Sequence, residues 1–414
     1  MTKYVIIGAG PAAVVAAETL RKSDADAAII IIGDEGEPPY SRMAIPYYLS
    51  HKIRAKGTHL RSGPAHYQKL AVELKNTRVT KVDSVGKKLS LENGSQITYD
   101  KLLIAAGSRP VTPLIPGIEL PHVHTCWTLK DARHIASLVK PGVEVVLMGA
   151  GFIGCIILEA LALCGVKLRV IEMGDRMVPR MMNDKAGNLI KTWCEKKGVV
   201  VHTSTKVTAI TADGVELNTG EILPAKLVIS ATGVTPNTEF LEGSNIEVDQ
   251  GVRVDTRMQT NVADIYAAGD IAQGKDFSTG EYSVQAIQPT ATEHGRIAAL
   301  NMVGKPVEHQ GSVNMNVLDT LGLISSSFGL WMGVEGGESA ELYHPEGFKY
   351  LNLQFRDDVL VGASAVGLTQ HIGVLRGLIQ SELHLGSWKN ALLNDPTCIM
   401  EAYIASSQEI GFAV

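Results

Sequence analysis

Two short glycine runs, each placed directly after a buried apolar stretch, constrain this chain more than any other feature. Gly8-Ala9-Gly10-Pro11-Ala12-Ala13 follows Tyr4-Val5-Ile6-Ile7, and Gly149-Ala150-Gly151-Phe152-Ile153-Gly154 follows the apolar residues 143–148. Each reads as a strand, a tight turn and a helix start, an arrangement in which backbone N–H groups approach a pyrophosphate. One such turn arises easily between any strand and helix. Two of them, each opening its own strand–turn–helix unit, point to two bound dinucleotides.

A chain that holds two dinucleotides is most simply a flavoprotein reduced by a nicotinamide cofactor. The 414 residues suffice for two or three domains with cores of their own. A net charge of −5 and the absence of any Lys/Arg block speak against nucleic acid. The five cysteines, Cys126, Cys155, Cys164, Cys194 and Cys398, form no CxxC pair and no metal-ligand spacing, so reduced thiols in a cytoplasm and no metal site are expected. Met1-Thr2-Lys3 runs straight into a strand, which predicts no signal peptide. In residues 143–166 the only charges are Glu144 and Glu159, but Gly149, Gly151, Gly154 and Gly165 break the stretch, so no membrane span is expected.

The first unit continues as a helix to about Lys22 and a second strand over 27–32, whose tip carries Asp34 and Glu35. An acid there accepts hydrogen bonds from an adenosine ribose, and spacing leaves open which of the two reaches it. A buried strand then ends in the small turn Ala105-Ala106-Gly107, and Pro113, Pro116, Gly117 and Pro121 mark a domain crossing. The second unit closes with Leu227-Val228-Ile229-Ser230-Ala231-Thr232-Gly233, an echo of 102–107. Residues 264–269 form another strand leading to Asp270, followed by a helix from about Ala291 to Met302. Residues 349–355 and 359–365 read as a hairpin, and 372–383 as an amphipathic helix with Ile372, Leu375, Leu378, Ile379 and Leu383 on one face. Cys155 and Cys164 face core by spacing, and Cys398 is the candidate exposed thiol.

In this order the landmarks of residues 1–305 resemble the FAD-dependent pyridine nucleotide–disulfide oxidoreductase superfamily. Pro39-Tyr40-Ser41-Arg42 is similar to a segment of rubredoxin and ferredoxin reductases, nitrite reductase flavin domains and apoptosis-inducing-factor-like proteins. The resemblance implies an α/β fold with two doubly wound dinucleotide-binding domains and a C-terminal α+β domain. FAD would occupy 1–115 with 240–310, NAD(P) would occupy 116–239, and 311–414 would form the third domain, at a homodimer interface. Gly8, Gly10 and Ala13 would lie at the FAD pyrophosphate, Arg42 along the adenine side and Asp270 at the ribityl–phosphate region. The turns at Ala106, Gly107 and Gly233 would border the cofactors. NADH would bind through Gly149, Gly151 and Gly154. Glu172, at the tip of the strand 167–171, would accept from its ribose and repel the 2′-phosphate of NADPH, although Arg176 and Arg180 follow closely.

The resemblance also has departures. Met43 stands where related enzymes carry a redox cysteine, and a thioether forms no disulfide. Tyr47 and Ile156 replace a lysine–glutamate pair of the ferredoxin-reductase-like branch. Tyr47 is a candidate hydrogen-bond donor at the flavin edge or a half-buried packing residue. His294 is a candidate proton donor or a surface cap at the start of its helix. Between Glu37 and Glu73 there is no acid, while Arg42, Lys52, Arg54, Lys56, Arg61 and Lys69 are joined by His51, His59 and His66. This basic window suits an acidic electron carrier or partner subunit, or is a solvated face. The expected function is electron transfer from NADH through FAD to a rubredoxin- or ferredoxin-like carrier. The alternatives are an NADH oxidase or small-molecule reductase acting on oxygen, a quinone or a CoA derivative, and a flavin-containing interaction protein with little turnover.

Overall fold

The computed structural model describes residues 1–61 and 63–412, which divide into two compact units. The first takes Met1–Pro110, a short return at Trp127–Lys130, and Val234–Ser312. The second takes Val111–Cys126, Asp131–Gly233 and the chain from Val313 onward. The crossings therefore fall at 110/111 and 233/234, a few residues before the expected 115 and 239. By its contacts the C-terminal region groups with the second unit. Its sheet packs on the helix Phe152–Leu163, Asn183 reaches the Tyr350 hydroxyl, and the Trp193 ring meets Phe348 edge-on.

In the first unit a five-stranded parallel sheet runs in the order Ile265–Ala267, Lys101–Ile104, Lys3–Ile7, Ala28–Gly33, Val72–Asn76. Its inner strands are almost continuously apolar because both faces are covered. The helix Pro11–Ser23 buries Ala12, Ala13, Ala16 and Ala17, and these small side chains let a second helix, Gln288–Met302, lie close against it. At the crossing, a Cβ on Gly295 would stand 2.3 Å from the Ala12 carbonyl oxygen.

That second helix starts three residues earlier than expected, with Pro289 in its first turn, where a missing N–H costs nothing. His294 consequently sits in the second turn. It is not a surface cap: only 3% of it is exposed. Its ring meets His309 edge-on with centroids 4.8 Å apart, and its Nε2 lies 3.2 Å from Ser312 Oγ. Burial, aided by His309, lowers its pKa to about 3, so it is neutral at pH 7.

The second unit holds a parallel sheet in the order Val200–His202, Lys167–Ile171, Glu144–Met148, Leu227–Ser230, Val123–Thr125. Its C-terminal part is a five-stranded antiparallel sheet in the order Met315–Thr320, Leu323–Gly329, Val359–Val366, Lys349–Arg356, Glu338–His344. The expected hairpin forms across Asp357, whose φ of +53° makes the turn. The following helix, Ile372–Ser381, buries Leu375, Leu378 and Ile379 but stops before Leu383, because Glu382 takes φ +49°. Among the described residues no helix is long and apolar enough to cross a membrane.

Two outcomes follow from the helix crossing. Gly295→Val should lower stability by about 1–3 kcal/mol, since its side chain meets backbone that cannot move aside. A Tm equal to wild type would refute that. The neutral His294 takes up no proton in the folded chain between pH 6.5 and about 3, whereas the unfolded chain does. Its contribution is complete above pH 6.5 and is lost as pH falls toward 3. Denaturant unfolding between pH 7 and 4 should show this decline, and His294→Asn should flatten it.

Candidate functional site

The first cradle begins at Gly8, whose φ is +105° and whose Cβ would lie 2.0 Å from the Ala105 carbonyl oxygen. Only glycine fits there. Gly10 caps the helix 11–23 without a side-chain hydrogen bond, and nothing stands within 4 Å of where its Cβ would be. Pro11 brings no N–H, so Ala12 and Ala13 present the first-turn amides of the helix. Ala13 itself is fully buried. The open space before Gly10 and the uncapped helix start fit the pyrophosphate of a dinucleotide.

The two acids after the strand 28–33 diverge. Asp34 accepts from Arg78 Nε at 2.7 Å. Glu35 accepts from Arg42 Nη2 at 2.5 Å and from the Tyr40 hydroxyl. Arg42 also donates through Nη1 to the Trp127 carbonyl oxygen at 2.8 Å and to the Tyr40 oxygen at 3.2 Å. Its guanidinium carbon lies 5.1 Å from the Trp127 ring centroid and 5.7 Å from that of Tyr40. The structure thus brings Glu35, and not Asp34, together with Arg42.

Asp270, half-buried after the strand 265–267, accepts from Ser108 Oγ at 3.0 Å. Burial raises its carboxyl above the usual range, an effect that the Ser108 hydrogen bond and the Arg42 charge oppose. The turn at 106–107 is held by Asn237, which donates from its side chain to the Ala106 carbonyl oxygen and from its backbone to that of Gly107. Gly107 has φ +66° and open space before its Cβ position. Tyr40, Ser108, Trp127 and Asn237 were not singled out from sequence. Ser108 adjoins Gly107 and was within reach of the motif, whereas Trp127 is brought in by the fold alone.

The second cradle repeats the first. Gly149 has φ +99° and a Cβ position 2.6 Å from the Ala231 carbonyl oxygen. Gly151 caps the helix 152–163 with nothing within 4 Å of its Cβ position. A Cβ on Gly154 would stand 2.1 Å from the Gly149 carbonyl oxygen, so this glycine serves helix–strand packing. Glu172 accepts from Ala150 N at 2.6 Å and Gly174 N at 2.7 Å, which fixes its carboxylate beside the turn. Arg176 is tied to Asp175 and Asp184, each at 2.7 Å, and to the Met182 carbonyl oxygen, while Arg180 is exposed. Gly233, at φ +120°, accepts from Val111 N.

All five cysteines belong to the second unit. Burial pushes the Cys126 and Cys194 thiols up to about 12, Cys155 well above its ordinary value, and Cys164 and Cys398 upward too. Cys164 lies just past the helix end and is only half-buried, so it is not the core filler expected. Met43 is 45% and Tyr47 54% exposed, with the Lys52 ammonium 5.9 Å from the Tyr47 ring centroid. Tyr47 is therefore not a half-buried packing residue. Ile156 is partly buried. Among the described residues no group of three or more His, Cys, Asp or Glu is disposed to hold a metal ion.

Residues 2–295 match the model of the pyridine nucleotide-disulphide oxidoreductase family. The chain is 30% identical over 405 residues to the NADH-dependent phenylglyoxylate dehydrogenase subunit epsilon of Aromatoleum evansii, covering 96% of each chain. It is 31% identical over 311 residues to the ferredoxin–NAD(+) reductase component of the anthranilate 1,2-dioxygenase system of Burkholderia cepacia, covering 73% of this chain and 75% of the other. A ferredoxin reductase from Rhodopseudomonas palustris superposes with a TM-score of 0.81 at 26% identity, over 89% of this chain and 91% of the other. With two cradles built for dinucleotides and a family match over most of its length, the chain belongs to the pyridine nucleotide-disulphide oxidoreductase family and is an FAD-dependent NAD(P)H oxidoreductase.

Proposed function

We propose that this chain passes electrons from NADH through FAD to a one-electron carrier without using a protein disulfide. The carrier is a small ferredoxin- or rubredoxin-like protein or a cluster-bearing partner subunit. The observation that carries this reading is that the first unit, with the flavin cradle, contains no cysteine. FAD supplies the conversion, since it takes up two electrons together and releases them singly. The similarity to a dehydrogenase subunit over nearly the whole chain supports a partner subunit, and the two ferredoxin reductases support a free carrier.

The residues then divide the work. The turn of Gly8 and Gly10 with the amides of Ala12 and Ala13 receives the FAD pyrophosphate. Glu35 accepts from the adenosine ribose, Arg42 lies along the adenine side, and Asp270, oriented by Ser108, accepts from the ribityl region. Asp34 is left to its ion pair with Arg78. Gly149 and Gly151 admit the NADH pyrophosphate. Glu172 accepts from the ribose hydroxyl and repels a 2′-phosphate, and Arg176 is held away by its two carboxylates. Ala106, Gly107 and Gly233 keep the turns beside the cradles small. Tyr47 offers a hydroxyl at the exposed segment after Arg42. His294, neutral and enclosed, packs and does not supply protons. The free thiols fit a cytoplasmic setting.

The basic window narrows in three dimensions. Arg42 is paired with Glu35, Arg61 and His66 with Glu18, and His59 with Glu37. Among the described residues Lys69 and, in the exposed segment 51–56, Arg54 and Lys56 make no ion pair. We assign docking of the acidic carrier to that segment.

NADH should be preferred to NADPH in steady-state kcat/KM, and Glu172→Ala should narrow the gap. A wild-type preference for NADPH would sink the ribose assignment. Carrier reduction should fall steeply with salt, because exposed charges are screened over about 8 Å at physiological ionic strength. Replacing Lys52, Arg54 and Lys56 by glutamate should slow association with the carrier and leave reduction of the flavin by NADH unchanged in stopped flow. Equal carrier reduction by mutant and wild type at low salt would return this segment to a solvated face.

A further inference from the structure

We propose that Trp127 is a positioning residue that holds Arg42 in place for FAD, an assignment that rests on Arg42 lying at the flavin. The chain leaves the first unit at Pro110 and, before its long return at Val234–Ser312, comes back for only the four residues Trp127–Lys130. Those four residues are spent on the candidate site. The Trp127 carbonyl oxygen accepts from Arg42 Nη1, its indole Nε1 donates to the Ser108 carbonyl oxygen at 2.8 Å, and the Leu129 N–H donates to the Tyr40 hydroxyl at 3.1 Å.

The indole and the Tyr40 ring both lie within cation–π range of the guanidinium. A guanidinium is planar and weakly hydrated, so rings on its faces fix its plane while its edges stay available for hydrogen bonds. Its carboxylate partner is Glu35, the group assigned to the ribose. Once Glu35 turns to a ribose, the tethers that Arg42 keeps are Trp127 and Tyr40, with the shorter hydrogen bond going to Trp127. The same indole fixes Ser108, which orients Asp270, so one side chain joins the adenine end of the site to the ribityl end. An arginine held this way has lost its rotamer freedom before the cofactor arrives.

The test is FAD affinity of the apoprotein, read from quenching of flavin fluorescence. Trp127→Leu removes both the ring and the Ser108 tether, and should weaken binding about tenfold. Trp127→Phe keeps a ring against Arg42 and should stay within about threefold of wild type. In an Arg42→Met background, Trp127→Leu should add a smaller loss than it causes alone, about threefold, because only the Ser108 tether is then left to lose. Equal losses from Trp127→Leu with and without Arg42, or wild-type affinity in Trp127→Leu, would overturn the proposal. Arg42→Met binding FAD like wild type would instead overturn the placement of Arg42 at the flavin. If the leucine variant does not fold, 5-fluorotryptophan labelling carries the test. The Trp127 resonance, identified by its loss in Trp127→Phe, should shift with Arg42→Met and on adding FAD, and a resonance that neither change moves overturns the proposal.

Discussion

Both units are organised by one steric demand: the backbone after the first strand must pass a neighbouring carbonyl at a distance that excludes a side chain. Gly8 meets Ala105 and Gly149 meets Ala231, in each case just beyond a strand, Lys101–Ile104 or Leu227–Ser230, that pairs with the one before the glycine. The close pass locks strand tip, turn and helix start into one piece, so the helix amides point into open space. A Cβ at either glycine would drive the helix off its strand and close the cradle. The third position of each motif is freer. Gly154 needs to be glycine because its Cβ would strike the Gly149 carbonyl, while the first unit accommodates Ala13 at the corresponding point.

Charge is handled locally. Glu35 with Arg42, Asp34 with Arg78, Glu18 with Arg61, and Arg176 with Asp175 and Asp184 each pair at or near hydrogen-bond distance. Exposed pairs of this kind are worth about 0–1 kcal/mol, so their value lies in placement more than in stability. They decide which charges face a ligand. Arg176 is held by Asp175 and Asp184, and Glu172 is fixed beside its glycine turn by two backbone N–H groups.

The elements that carry the cradles were legible because local rules and tertiary demands agree there. An apolar run, a glycine that needs positive φ and a helix start all fall within about 20 residues, the scale on which such patterns are informative. The hairpin at 349–366 was legible for the same reason. Leu383 misled because its spacing suits the apolar face, while the αL conformation of Glu382 ends the helix before it. His294 misled because nothing local distinguishes a cap from a second-turn residue when the helix begins at Gln288. Trp127 carried no local signal. It matters through contacts with Arg42 and Ser108, which lie 85 and 19 residues away in the chain.

The chemistry turns on the thiols. A relay through a protein disulfide needs a thiolate that can attack, and it needs that sulfur beside the flavin. The flavin unit has no cysteine, and Met43 cannot ionise. In the second unit, a thiol whose pKa stands at about 12, as at Cys126 and Cys194, is ionised at pH 7 in only about one molecule in 10⁵. The flavin unit supplies no such sulfur of its own, so on the proposed reading two electrons entering at the flavin are not passed on through a disulfide. They leave from the flavin itself, and that favours an acceptor that takes them one at a time.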